Sequence, residues 1–231
     1  MTGKSIIVPV ALCMLSGFFG SCVPIKAIFK KPKPYAYGWV PKKYEEVSKH
    51  YSDYAHWYNC KSGETIASIG AGNGKFEVAI SCFMPGINWY LQEIDTLRLY
   101  QFDDVLAHFE KLKQSPIDAT FHLVVGTESE TNLPQSTFDR ILMINVVHEI
   151  NERDSLMKEI GKLLNPDGKL VVMERMGDKP GQVHGDCKFP KLLETDLLQE
   201  MNICGFQLAN RQIGEEMSHL VFYTFTLSSV K

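Results

Sequence analysis

The sequence predicts an α/β fold, in which a seven-stranded, mostly parallel sheet carries helices on both faces and ends in a C-terminal antiparallel hairpin. Short apolar runs alternate with amphipathic helical patterns from residue 65 to residue 203. This order is typical of strand–helix–strand units and therefore of parallel sheets. Beyond Gly205, two β-rich runs at 206–213 and 219–227 are joined by a short polar segment. That segment is too short for a crossover helix, so the last two strands are predicted to be antiparallel.

The individual elements follow from apolar periodicity and from the turn residues between them. Aromatic residues at helical spacing predict a first helix, which begins at Lys42 and is stopped by Ser62-Gly63. Pro85-Gly86 ends the second helix, Asn165-Pro166-Asp167-Gly168 ends the fourth, and Gly205 caps the fifth. In chain order, the predicted strands are 65–69, 88–94, 121–125, 138–146, 169–173, 206–213 and 219–227, and the later helices are 75–83, 97–112, 153–164 and 191–203.

The composition is that of an ordinary soluble globular domain. Of the 231 residues, 45% are hydrophobic and 22% are charged, and the net charge of −3 gives no support for a nucleic-acid partner. Residues 44–231 are long enough to form one substantial domain. The preceding stretch, 23–43, is rich in proline and lysine and is predicted to be a linker. Its lysines would also suit a segment that lies near an anionic membrane surface.

Residues 1–22 resemble a bacterial lipoprotein signal. An apolar run at 6–19, shorter than the ~20 residues that span a bilayer, is followed by Gly20-Ser21 and then by Cys22. Such a signal predicts a mature protein that is anchored to a membrane through a lipid on Cys22. Phe19 stands where these signals usually carry an aliphatic residue. The alternative is an apolar helix that packs on a cytoplasmic protein.

The six cysteines predict neither a disulfide framework nor a metal site. None of them forms a CxxC pair, which is the spacing of many zinc sites, so no metal is expected. Cys82 and Cys204 lie in apolar helical stretches and are predicted to pack as small hydrophobic side chains.

A glycine-rich turn is the main chemical signal. Gly70, Gly72 and Gly74 follow the first predicted strand at alternate positions and lead directly into a helix. Glycine lets the backbone turn sharply and lets a ligand approach without a Cβ in the way, and the start of a helix presents free N–H groups. Glu93 lies at the end of the next strand, where a carboxylate can accept hydrogen bonds from a ribose diol. The pattern therefore predicts a nucleotide-type cofactor.

Over roughly residues 44–227 the chain resembles the class I S-adenosylmethionine-dependent methyltransferases, especially the small-molecule branch that includes the ubiquinone and menaquinone enzymes. The glycine spacing is GxGxG and not the GxGxxG of dehydrogenases. Other similar segments are 132–142 before and within the fourth strand, 145–150 after it, 163–172 at the turn into the fifth strand, and Gly205-Phe206. The resemblance implies a Rossmann-like fold, S-adenosylmethionine as the cofactor and methyl transfer to an acceptor.

The resemblance also assigns cofactor contacts. The three glycines would form the turn around the cofactor, and Glu93 would bind its ribose.

Two positions depart from the family pattern. Ser68 stands where the family usually has an acid, two residues before the first glycine. Thr127, followed by Glu128, stands where the family commonly has an acid near the adenine amino group. Thr127 and Glu128 are the predicted adenine contacts, with Glu128 as the substitute acid.

Two polar residues after the fourth strand complete the predicted site. The resemblance places Asn145 against the cofactor, and its alternative role is to cap the next helix. His148 lies at the carboxyl edge of the sheet and is predicted to be the general base toward the acceptor. The alternative for His148 is a structural histidine that hydrogen-bonds the backbone. His184 and Cys187 lie in the loop after the fifth strand, where the family contacts the acceptor. Their position in this loop is the only feature that indicates a role for them.

The sequence thus predicts an S-adenosylmethionine-dependent methyltransferase. The chain lacks the Asn-Pro-Pro-Tyr and Asp-Pro-Pro-Tyr motifs of amino-nucleobase methylases and the Pro-Cys nucleophile of cytosine methylases. This favours a small or lipid-like acceptor. One alternative is a non-catalytic S-adenosylmethionine-binding lipoprotein on the same fold, which Ser68 and Thr127 favour. A second is a nicotinamide-dependent oxidoreductase, which the glycine spacing and the terminal hairpin disfavour.

Overall fold

The computed structural model describes residues 40–214 and 217–228. Helices and strands alternate over most of this range, as the sequence predicts. In chain order the elements are α1 (Tyr44–Tyr58), β1 (Thr65–Ile69), α2 (Lys75–Ser81), β2 (Ile87–Glu93), α3 (Thr96–Leu99), α4 (Phe102–Lys113), β3 (Ala119–Val125), β4 (Phe138–Ile144), a 3₁₀ turn (Val147–Glu149), α5 (Arg153–Leu163), β5 (Leu164–Arg175), α6 (Glu194–Ile203), β6 (Phe206–Gly214) and β7 (Met217–Leu227).

The seven strands form one sheet in the order β3-β2-β1-β4-β5-β7-β6. β1 pairs in parallel with β2 and β4, β2 pairs in parallel with β3, and β4 pairs in parallel with β5. β7 runs antiparallel to both β5 and β6. The predicted α/β fold and its C-terminal hairpin are confirmed. Because parallel strands end at the same edge, the carboxyl ends of β1, β2, β4 and β5 lie together, where open α/β sheets bind ligands.

Alternate residues along each strand pack on opposite faces of the sheet. Helices α1, α2 and α4 cover one face and pack against buried side chains such as Trp89 and Leu142. Helices α5 and α6 cover the other face and pack against Phe138 and Tyr223. The indole N–H of Trp89 donates to the hydroxyl of Ser81 at 2.8 Å, so the largest buried side chain leaves no polar group unpaired.

The single helix predicted over 97–112 is wrong, because the chain forms α3 and α4 with a break between them. Gln101 lies at the break with its side chain buried, and its amide oxygen accepts from the side chain of Asn73 at 3.5 Å. Leu99 and Phe102 are buried on either side of the break. Their helical spacing continues across it, and for this reason periodicity alone merges the two helices.

β5 is longer than predicted and contains the segment predicted as a turn. Phe138 of β4 pairs with Leu164, whereas Arg140 pairs with Lys169, so the residues between them on β5 form a bulge. A Cβ at Gly168 would lie 2.8 Å from the carbonyl oxygen of Phe138. The turn residues at 165–168 therefore bend the strand without ending it.

In the described part of the chain, no helix combines the length and the apolar character that crossing a membrane requires. The predicted signal at 1–22 lies outside the described residues, as does the predicted linker up to residue 39.

Candidate active site

The predicted glycine turn joins β1 to α2 at the carboxyl edge of the sheet. Gly70, Gly72 and Gly74 all have left-handed backbones, with φ of 69°, 60° and 73°. A Cβ at Gly70 would lie 2.5 Å from the side chain of Val146, and one at Gly74 would lie 2.7 Å from the ring of Phe102. A Cβ at Gly72 would meet no atom within 4 Å. Packing therefore requires glycine at two of the positions, and the third leaves an open surface for a ligand.

Glu93 is tied directly to this turn. Its Oε2 accepts the backbone N–H of Gly72 at 2.8 Å, and its Oε1 accepts those of Ile94 and Asp95 at 2.8 and 3.0 Å. The preceding residue, Gln92, accepts the N–H of Gly70 through its side chain at 3.3 Å. These bonds fix the carboxylate, and the guanidinium of Arg98 lies 3.9 Å from its Oε2. The structure thus brings together the glycine turn and the acid that the sequence pairs with it.

A buried acid missed by the sequence analysis lies below the turn. Glu77 of α2 accepts a 2.5 Å hydrogen bond from the hydroxyl of Ser68, the residue that departs from the family pattern. Burial raises the pKa of Glu77 to about 7, the bond from Ser68 opposes this, and the charge of Glu93 adds to it. The second carboxyl oxygen, Oε2, is buried without a hydrogen-bond partner among the described residues. A carboxyl group is therefore present beside Ser68, but it comes from the helix and not from the strand.

Asn145 follows β4 directly. The strand was predicted to reach residue 146 but ends at Ile144, because Asn145 has a left-handed φ of 50° that no strand continues. The N–H of Asn145 donates to the carbonyl oxygen of Met173 at 2.8 Å. The side-chain Oδ1 is buried and has no partner in the described part of the chain. A buried acceptor without a donor is a position that a ligand can satisfy.

Thr127 and Glu128, the predicted adenine contacts, lie in an exposed loop after β3. The hydroxyl of Thr127 accepts the backbone N–H groups of Ser129 and Glu130 at 3.3 and 3.0 Å. Thr127 therefore shapes the loop through its own hydrogen bonds. The carboxylate of Glu128 is exposed beside it.

His148 is buried against Glu174 at the end of β5. Its Nδ1 lies 2.9 Å from Oε2 of Glu174, and its backbone N–H donates to Oε1 of the same carboxylate at 3.3 Å. Glu174 is 1% exposed and was not singled out from the sequence. Burial lowers the pKa of His148, but the hydrogen bond and charge of Glu174 outweigh burial and leave it raised. Glu174 therefore orients the ring so that Nε2 points away from the carboxylate.

The loop after β5 brings His184 and Cys187 to this histidine. The Sγ of Cys187 lies 3.4 Å from Nε2 of His148, and the ring of His184 stacks on the ring of His148 with centroids 3.8 Å apart. The expectation that no metal binds rests on the lack of a CxxC pair, a test that takes no account of histidine ligands. Among the described residues these three side chains form a group with metal-ligating atoms within 4.8 Å of one another.

A polar depression of about 740 Å³ lies at the opposite, amino edge of the sheet. Arg140 and Glu64 line it and form an ion pair at 3.0 Å, and Asn165 donates to Asp139 at 2.9 Å. Since these lining groups already pair with one another, the carboxyl edge is the better candidate for a ligand site.

The sequence between the glycine turn and β5 matches a known family. Residues 68–172 match the family model described as a methyltransferase domain. Over this range the chain is similar to a methyltransferase domain. The matched range contains the glycine turn, Glu93, Asn145 and His148, and it ends before His184 and Cys187.

Solved structures with the same fold support this assignment. A SAM dependent methyltransferase from Aquifex aeolicus is similar with a TM-score of 0.61 at 14% identity, over 78% of this chain and 96% of that chain. The mitomycin 7-O-methyltransferase MmcR gives 0.62 at 15%, over 79% and 54% of the two chains. The [4+2]-cyclase SpnF gives 0.60 at 14%, over 80% and 84%. No curated protein matches the sequence. At these identities the similarity establishes the class I methyltransferase fold.

The methyltransferase domain and its structural neighbours imply S-adenosylmethionine as the cofactor. The residues fit it, because the turn offers open space beside Gly72 and Asn145 offers a buried acceptor without a partner. The comparisons give no support to a nicotinamide-dependent oxidoreductase. The sheet order agrees, because the antiparallel β7 lies between β5 and β6, unlike the dinucleotide-binding order.

Replacement of Gly72 tests whether the open surface of the turn belongs to the ligand. We expect Gly72→Ala to weaken S-adenosylmethionine binding by at least ~10-fold in calorimetry, because its Cβ enters the open space. Gly205→Ala is the matched control, since Gly205 also has a left-handed backbone and open space, but precedes β6 at the other edge. Both variants should lose roughly 1–2 kcal/mol of unfolding free energy. Equal affinity in the two variants would show that the turn is structural only.

The raised pKa of Glu77 predicts a pH-dependent stability. Above about pH 4.5 the unfolded chain loses this proton, while the folded chain keeps it up to about pH 7. The unfolding free energy should therefore fall as pH rises through this window. Glu77→Gln removes the ionisation and should gain roughly 1–3 kcal/mol on the wild type between pH 5 and pH 8, measured by urea denaturation. The same change at the exposed Glu45 is the control. Parallel curves for Glu77→Gln and wild type would contradict the assignment.

Proposed function

We propose that this protein is an S-adenosylmethionine-dependent methyltransferase that acts on a small or lipid-like acceptor. The observation that carries the proposal is the bond from Gly72 to Glu93, which places a fixed carboxylate beside an open glycine turn. The fold and the matched domain support it, and the mitomycin 7-O-methyltransferase is a neighbour with a small-molecule substrate.

Each predicted cofactor residue has a proposed task. Glu93 accepts hydrogen bonds from the ribose, and the turn of Gly70, Gly72 and Gly74 lets the backbone approach the cofactor. Asn145 contributes its buried Oδ1. Thr127 and Glu128 stay predictions for the adenine end, with Thr127 holding the loop in shape and Glu128 providing the carboxylate.

Methyl transfer from a sulfonium requires little covalent help from the protein. When bound, the cofactor supplies a methyl group on a good leaving group. The residues of the chain then act by holding cofactor and acceptor in line, and proximity can account for much of the rate enhancement. The acceptor is proposed to lie at the carboxyl ends of β4 and β5, beside His148. The role of His148 as a general base stays a prediction from the sequence.

Loss of the Glu93 carboxylate tests the cofactor assignment. Glu93→Ala should weaken S-adenosylmethionine binding by roughly 10- to 100-fold, because hydrogen bonds to a charged group contribute roughly 1.5–3 kcal/mol. Asp167→Ala is the control, since it removes an exposed carboxylate at the amino edge. Calorimetry on both variants measures the effect. An unchanged affinity in Glu93→Ala, with a folded protein, would remove Glu93 from the site.

Catalysis is separated from binding by a second assay. The purified protein, supplied with methyl-labelled S-adenosylmethionine and a panel of phenols, thiols and quinols, should form S-adenosylhomocysteine together with a labelled product. Tight binding with no transfer to any acceptor class would favour the non-catalytic binding protein. The cyclase SpnF has this fold, so the fold alone does not decide between the two.

Membrane attachment is a separate proposal that concerns residues outside the described range. We propose that residues 1–22 are an export signal and that Cys22 is lipidated after cleavage. Support comes from the apolar run at 6–19 and the small residues Gly20-Ser21 before the cysteine. Without processing, the protein would stay in the cytoplasm, where the cofactor is made.

Cell fractionation tests the attachment. Cys22→Ser should move the protein from the membrane fraction to the soluble fraction, because the modified thiol is removed. Cys13→Ser should not, since Cys13 lies within the apolar run that would be cleaved away. Mass spectrometry of the wild type should find a lipid-modified Cys22 as the first residue. Intact residues 2–21 on the cellular protein would refute the proposal.

A further inference from the structure

Three metal-ligating side chains from two separate parts of the chain meet at the carboxyl edge of the sheet. His148 lies in the 3₁₀ turn after β4, and His184 and Cys187 lie in the loop between β5 and α6. The loop is a tight hairpin, closed by backbone bonds from His184 to Phe189 at 2.9 Å and from Lys191 to Gln182 at 2.8 Å. His184 and Cys187 therefore come from one His-x-x-Cys turn that faces a third ligand.

The distance between Cys187 and His148 is compatible with shared ligation of a metal ion. Tetrahedral zinc binds imidazole nitrogen at about 2.0 Å and thiolate sulfur at about 2.3 Å, which implies a nitrogen–sulfur separation of roughly 3.5 Å. The Sγ of Cys187 lies 3.4 Å from Nε2 of His148. The ligating atoms of all three residues lie within 4.8 Å of one another.

A second observation is independent of these distances. His184 is 7% exposed, and its Nε2 is buried without a hydrogen-bond partner among the described residues. An unpaired buried nitrogen costs free energy unless something binds it. Its ring lies against His148, so an ion in this cluster would supply the missing partner.

Glu174 provides the outer contact that metal-bound histidines usually have. Its carboxylate holds Nδ1 of His148 at 2.9 Å, which leaves Nε2 as the nitrogen that faces Cys187. Carboxylate–histidine–metal arrangements of this kind fix the ring and make the imidazole a better ligand.

We propose that His148, His184 and Cys187 bind one zinc ion, with Glu174 as the residue that positions His148. Two imidazoles and one thiolate are donors that zinc prefers, whereas calcium and magnesium prefer oxygen. The two imidazole rings are stacked, so binding would turn the ring of His184 to bring its nitrogen into line with the ion. This rotation moves one buried side chain, that of His184, on a loop whose neighbouring residues are mostly exposed.

Three protein ligands leave a fourth position, as in catalytic zinc sites. The carboxylate of Glu149 lies 3.7 Å from Nε2 of His148 and is half-exposed. It can therefore coordinate the ion at this position or be displaced by another ligand. The next step rests on the proposed function. Zinc at this position would bind a hydroxyl or thiol of the acceptor as its anion, and the proton would pass to solvent. Nε2 of His148 would then be a ligand and not the general base.

Cobalt substitution of the full-length chain tests the site without S-adenosylmethionine or an acceptor. After removal of metals by a chelator under reducing conditions, one equivalent of Co²⁺ should give the visible bands of tetrahedral cobalt and a thiolate charge-transfer band. Zn²⁺ should displace it at one ion per chain. Cys187→Ser should lose the charge-transfer band, whereas Cys204→Ser, which removes another half-buried thiol, should keep it.

Two further variants test the site independently, so the misfolding of any one variant does not prevent a result. His184→Gln should lower the zinc affinity, and Glu174→Gln should lower it by roughly 10- to 100-fold while all three ligands stay in place. Calorimetric binding of S-adenosylmethionine to each variant should stay unchanged, which separates failure of the zinc site from failure of the proposed function. The proposal is overturned if folded wild type gives no tetrahedral cobalt spectrum. It is also overturned if Cys187 instead behaves as a highly reactive thiol that no metal protects from alkylation.

Discussion

The hydrogen bond from the Gly72 N–H to Glu93 Oε2 is the contact on which the cofactor side of the molecule depends. It joins the ends of two neighbouring parallel strands, β1 and β2. The same carboxylate caps the chain as it leaves β2, through the N–H groups of Ile94 and Asp95. Helix α2 begins directly after the turn, so Glu77 meets Ser68 only because the turn holds this conformation. Three left-handed residues in close succession are a strained path for any residue but glycine.

Features that depend on local sequence could be predicted well. The glycine turn, Glu93 at the end of the next strand and the C-terminal hairpin each have a signal within a few residues, and the structure places them as expected. The family resemblance predicts a cofactor contact at Asn145, and the structure places this residue directly after β4 with its Oδ1 buried and unpaired among the described residues. In each case the residue lies within or next to the sequence segment that identifies it. Its place can therefore be predicted without knowledge of long-range contacts.

Features that depend on contacts between distant segments could not be predicted. Glu77 is an acid in a short helix, a position where acids are usually exposed, and nothing nearby in the sequence indicates that it is buried against Ser68. Glu174 ends a strand like many surface acids. The meeting of His148 with Cys187 joins residues 39 positions apart. The break between α3 and α4 was missed for a related reason, because Gln101 is held there by tertiary contacts that periodicity does not record.

The proposed cofactor contacts and the loop of His184 and Cys187 lie on separate segments of the chain, which affects how such a protein can diversify. The proposed cofactor contacts come mainly from β1, β2 and the residue after β4, whereas His184 and Cys187 lie on a hairpin loop between β5 and α6. That loop is closed by its own backbone bonds, so its sequence can change without disturbing the glycine turn. With the acceptor at its proposed place beside His148, sequence changes in this one surface loop would alter acceptor choice and leave the glycine turn and Glu93 unchanged.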